Sequence, residues 1–265
     1  MISEAIRHEL AEARPTVLTW SLGLGLLAVF TGALFPTVGT GEGLHASWAH
    51  LPEIARAFFA GGAQDPGTLE GYLNSQLFAL LPLVLAIFTI SRGAALLGEG
   101  EGHGSLELTL AQPISRIGLI TGHLTAMALA TGIIGLAVGL SLALGLGLVG
   151  VQVPMGGVLL WALVATLPAM VFGAIALLAA VTFQARHAAV LTGAALAVGA
   201  HVVNGLGPLV PGMAALRPFS PLYHYTLSQP LVTGVQPTAI LLLISTTLLV
   251  SIAAAGVFHR RDLPL

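Results

Sequence analysis

Apolar residues in this chain fall in long unbroken runs, with no alternation that would suggest strands. Residues 16–35 carry no charged side chain, and further charge-poor runs follow at about 72–97, 117–151, 155–183, 188–203 and 237–258. A helix needs about 20 apolar residues to cross the hydrocarbon of a bilayer. Each run is therefore read as a span, and the chain as an all-α polytopic membrane protein of six transmembrane helices in a single domain, 1–265. Arg92 interrupts the second run near one end, where its side chain can snorkel to the interface. The third run is longer than one crossing needs, which predicts a helix that tilts, projects or bends. Pro168 inside the fourth run predicts a kink.

Three segments outside the runs have patterns of their own. In 1–14, Ile2, Ile6, Leu10 and Ala13 share one helical face, with Glu4, Arg7, His8, Glu12 and Arg14 largely opposite, the pattern of an amino-terminal interfacial helix. The run that follows is read as a retained span, because Phe35-Pro36-Thr37-Val38 stands where a cleaved leader would have a small-x-small site. In the loop 36–71, Trp48, Leu51, Ile54, Ala55, Phe58 and Phe59 recur near helical spacing and predict a short interfacial helix. In 204–234, prolines at 208, 211, 218, 221 and 230 forbid one continuous helix, yet Leu206, Leu209, Val210, Met213, Leu216, Phe219, Leu222 and Leu231 are too apolar for a solvated loop. A re-entrant segment of two short helical pieces is expected before span six, with Tyr223, His224 and Tyr225 at headgroup level.

Composition narrows the function. The chain is 56% apolar and 8% charged, against roughly 25% charged in soluble domains, which excludes an ordinary water-soluble enzyme. All nine basic residues are Arg, so no Gly-Lys-Ser/Thr phosphate loop exists here and the chain does not bind ATP in that way. Without Cys there are no disulfides and no thiolate zinc sites. A net charge of -2 argues for no nucleic-acid partner. With the amino terminus inside, Arg7, Arg14, Arg92, Arg116, Arg186, Arg260 and Arg261 fall on the inner side, and Arg56 and Arg217 on the outer. Both termini are therefore expected in the cytoplasm.

Candidate chemistry within the spans is sparse. No paired acids or metal ligands occur there, His8-Glu9 lacks the second His of a zinc-protease helix, and His45 and His50 read as surface residues; no metal site is expected. His201 and Asn204, three apart on span five, could line a substrate path or make a local hydrogen bond near the outer surface. Gly135 and Gly139, extended by Gly132 and Gly145, predict close helix packing, with a second copy as one possible partner.

The most informative segment joins spans two and three. After Glu99-Gly100-Glu101-Gly102-His103-Gly104 comes Ser105, a natural N-cap, then Leu106, Glu107, Leu108, Thr109, Leu110, Ala111 and Gln112, stopped near Pro113. A short cytosolic helix carrying Leu106, Leu108, Leu110 and Ala111 calls for a partner surface. Gly104 to Leu110, with the ending Pro113-Ile114-Ser115-Arg116, resembles the corresponding run in the membrane (permease) subunits of type-2 ABC exporters. Ser220-Pro221-Leu222-Tyr223-His224-Tyr225, followed by Gln229-Pro230-Leu231 and Gly234, matches more loosely. His123 stands where that family has Lys soon after span three begins, which weakens an inner-interface anchor.

The resemblance implies that the chain is the transmembrane subunit of an ATP-driven exporter in the plasma membrane of a prokaryote. Glu101, Ser105, Leu106, Glu107, Leu108, Leu110, Pro113 and Arg116 would then form or flank a coupling helix seated on a separate ABC ATPase. ATP and magnesium would be bound by that partner, no cofactor would be held in this chain, and a second copy or a related permease would complete the transporter. An ion-coupled secondary transporter or channel is the alternative class. It is disfavoured because the central parts of all six spans lack Asp, Glu and Arg.

Overall fold

The spans arise where uninterrupted apolar runs leave no residue to stop a helix, and breaks fall where proline removes a backbone donor. The computed structural model describes residues 2–39, 48, 50–60, 67–98, 116–232 and 234–260. Among them are helices α1 (Ile2–Leu34), α2 (Glu53–Ala60), α3 (Leu69–Leu73), α4 (Leu81–Gly98), α5 (Arg116–Leu148), α6 (Met155–Val164), α7 (Thr166–Phe183), α8 (Arg186–Leu206), α9 (Pro211–Ala214), α10 (Pro221–Thr226) and α11 (Pro237–His259). No strand occurs among the described residues, only an isolated antiparallel bridge between Gln229 and Gly234. Six helical stretches are long and apolar enough to cross a membrane, and they match the six expected runs.

α7 sits at the centre, packed against α4, α8 and α11, while α1 lies along α5. The most apolar window of 155–183 is 83% buried, against 17% for α11, which faces outward along most of its length. Small residues set these crossings. A Cβ on Gly145 of α5 would overlap the Val29 carbonyl oxygen of α1, and one on Gly25 of α1 would lie 2.8 Å from Ser141 Oγ. Gly135 and Gly139 pack against Leu159 and Ala162 of α6 and Thr166 at the start of α7, whereas Gly132 has open space around it. Most of the glycine-rich face expected to admit a second copy is therefore filled from within the chain.

Three features of these elements have local causes, one of them the break expected from Pro168. The amino-terminal segment is helical but continuous with the first span, with Pro15 inside α1. The fourth run divides at Ala165 into α6 and α7, because Pro168 has no N–H for the carbonyl of Val164 four residues back. The second run begins as α3 and widens over Asn74–Phe78, where Ala79 N donates to Asn74 O across five residues. The cause there is Pro82, which leaves the Phe78 carbonyl without its helical donor.

Tyr225 supplies that donor. Its hydroxyl donates to Phe78 O at 2.9 Å while the Phe78 ring stacks on Trp161 with centroids 4.1 Å apart. Tyr225 is thus buried in the core, only 2% exposed. The re-entrant segment does break into short pieces, α9, a single turn at Arg217–Phe219, and α10. Ser220 caps α10 by accepting from Leu222 N at 3.2 Å and donates to Ala200 O of α8, tying the segment to span five. Replacing Tyr225 by Phe leaves the Phe78 carbonyl unpaired in the core. The expected cost is about 1–3 kcal/mol, read as a lowered unfolding temperature in detergent with the helix content unchanged.

Candidate functional site

The segment 99–115 links α4 to α5, so whatever it does reaches the bundle through the last turns of α4 and the first turns of α5. Those turns hold a cluster of charged side chains. Arg92 lies on α4 within two turns of Gly98, and His123 on α5 within two turns of Arg116. Glu9 of α1 reaches both. Arg92 Nη2 donates to Glu9 Oε2 at 2.8 Å, and His123 Nδ1 stands 3.1 Å from Glu9 Oε1. The other ring nitrogen, Nε2, is 3.0 Å from the Arg92 carbonyl oxygen and donates to it. One ring nitrogen of His123 is thus hydrogen-bonded to α4, and the other faces the Glu9 carboxylate. The His123 side chain is 1% exposed, and those of Arg92 and Glu9 are 20% and 19% exposed.

One turn along α4, a second contact fixes the helix on its other side. Thr89 Oγ1 donates to Ala169 O of α7 at 2.6 Å. Gly93 lies so close to α7 that a Cβ would overlap the Gly173 carbonyl oxygen, and a Cβ on Gly173 would lie 2.7 Å from Thr89 Cβ. The end of α4 that carries the linking segment is thus held to α7 by close packing, to α1 by an ion pair and to α5 by a hydrogen bond.

The expected coupling residues Glu101, Ser105, Leu106, Glu107, Leu108, Leu110 and Pro113 lie outside the described residues, and Arg116 is the first residue of α5. His201 and Asn204 are buried on α8, 6% and 5% exposed. Asn204 Oδ1 has no hydrogen-bond partner among the described residues. No group of three His, Cys, Asp or Glu that could hold a metal is gathered among the described residues. Arg92, near the end of α4, is paired with Glu9, and His123, at the position where the resemblance expects Lys, faces the same carboxylate. One signal for Glu9 is present in the sequence, since it stands three residues from Ile6 and four from Ala13, within the apolar stripe of 1–14.

The chain that forms this six-span bundle is matched by a known family over nearly its whole length. A family described as "Multidrug efflux system permease Rv1217c, C-terminal domain" matches residues 9–261. The chain belongs to this family. It is a multi-pass membrane protein and a transporter permease, which accounts for an all-helical chain whose charged residues stand at the ends of its spans. No curated protein matches the chain.

Proposed function

We propose that this permease is the transmembrane subunit of an ABC exporter, coupled to a separate ATPase through 99–115. The observation that carries the reading is the pairing of Glu9 with Arg92 and His123 on the two helices joined by a sequence whose leucines need a partner surface. The family's description as an efflux permease supports transport outward, and an uncharged bundle interior suits amphipathic or hydrophobic cargo. His201 and Asn204 are the pathway candidates; the unpaired Asn204 Oδ1 offers an acceptor to a passing hydroxyl or amine.

In this reading Leu106, Leu108 and Leu110 seat on the ATPase, Ser105 caps the helix that presents them, and Glu101, Glu107, Pro113 and Arg116 border it. The partner holds ATP and magnesium, and its closure moves the bundle between two rigid-body arrangements. A second copy or a related permease forms the other wall of the pathway. In this reading the membrane is a prokaryotic plasma membrane, and the Arg distribution supports a cytoplasmic side for both termini and 99–115. The test is purification of the tagged permease from its own membranes in mild detergent. An ATP-hydrolysing polypeptide bearing a Gly-x-x-x-x-Gly-Lys-Ser/Thr loop should accompany it in a fixed ratio, and a permease that purifies without such a partner would count against the reading.

A further inference from the structure

A linking segment passes a push to the bundle only if its two roots do not slide independently. Direct packing does little to prevent this, because α4 packs chiefly on α7 and α5 chiefly on α1. The contacts that join the two roots are polar: the Arg92 carbonyl oxygen accepts from His123 Nε2, and the Arg92 and His123 side chains both face the Glu9 carboxylate. Glu9 is also the point at which α1 enters the set. One carboxylate therefore fastens three helices at the level where 99–115 leaves and rejoins the bundle. Because the three side chains are largely buried, the contact is screened less than a surface ion pair and has few alternative partners.

We infer that Glu9 is a positioning residue for coupling, one that makes α1, α4 and α5 move as one body when the linking segment is displaced. This rests on the ABC reading above. Glu9 acts through Arg92 and His123. Losing its charge should leave the ATPase bound and turning over while less of each stroke reaches the spans. The amide of Gln still accepts from Arg92 but presents no charge to His123, so Glu9→Gln separates the electrostatic role from the space the side chain fills. His123→Lys is the conservative partner, since an ammonium can serve both the Arg92 carbonyl and the Glu9 carboxylate.

The experiment reconstitutes the permease with its ATPase in inside-out vesicles and measures ethidium uptake and ATP hydrolysis together. For Glu9→Gln, hydrolysis is expected within twofold of the unsubstituted assembly, with uptake per ATP falling about five- to tenfold; His123→Lys should keep that ratio within twofold. An unchanged ratio in Glu9→Gln would overturn the inference. So would a parallel loss of hydrolysis and uptake, which marks a folding defect. Absence of ATP-driven uptake in the unsubstituted assembly would instead overturn the exporter reading beneath it.

Discussion

Gly93→Ala is expected to destabilise the permease by about 1–3 kcal/mol or more, while Gly132→Ala, the same change on a helix elsewhere in the bundle, is expected to be neutral or stabilising by up to about 1 kcal/mol. The contrast follows from what each new methyl group meets. At Gly93 it overlaps the carbonyl oxygen of Gly173, a backbone atom that cannot swing aside as a side-chain terminus can. Relief requires α4 and α7 to separate, which would lengthen the 2.6 Å Thr89 hydrogen bond to Ala169 and loosen the central helix. At Gly132 nothing lies within 4 Å, so only the reduced backbone entropy of the unfolded chain remains. Thermal unfolding in detergent reads both; equal midpoints for the two variants would contradict so close a crossing.

The second large effect concerns the linking segment. Changing Leu106 and Leu110 together to Asp is expected to leave the permease inserted and folded but to abolish co-purification of the ATPase. Burying a leucine contributes roughly 1.5–3 kcal/mol, and a carboxylate in its place adds a desolvation penalty. Losing two such contacts therefore removes at least about 3 kcal/mol, more than a hundredfold in affinity at about 1.4 kcal/mol per factor of ten. Quantitative pull-down of ATPase activity measures it, and recovery at the unsubstituted level would remove these two leucines from the interface.

The spans were legible because each consists of an apolar run whose length alone decides its role, so five of the six appear close to their expected limits, while the first is continuous with the amino-terminal segment. Pro168 likewise announced the break at Ala165, since proline's missing donor acts on a neighbour four residues away. Pro82 acts by the same rule, but its consequence depends on a distant residue: Tyr225, 147 positions on, takes up the freed carbonyl. Gly135 and Gly139 were visible as a spaced pair on one helix, whereas Gly93 and Gly173 form their contact across two helices and carry no local pattern. The Glu9 cluster was hidden for the same reason. Its three members stand on three helices, 83 residues apart from Glu9 to Arg92, and each alone resembles an ordinary charge at the end of a span. Periodicity reports which face of a helix is buried; it does not report which residue of another helix that face meets.

The central claim is that energy for transport comes from another polypeptide. It is tested most directly by purifying the permease, reconstituting it in vesicles with and without its ATPase, and following ethidium movement under three drives: a proton gradient, a sodium gradient, and ATP. ATP-driven movement only when the ATPase is present, with neither gradient effective on the permease alone, is the predicted result. Gradient-driven movement by the permease without any ATPase would contradict the account and establish an ion-coupled transporter instead.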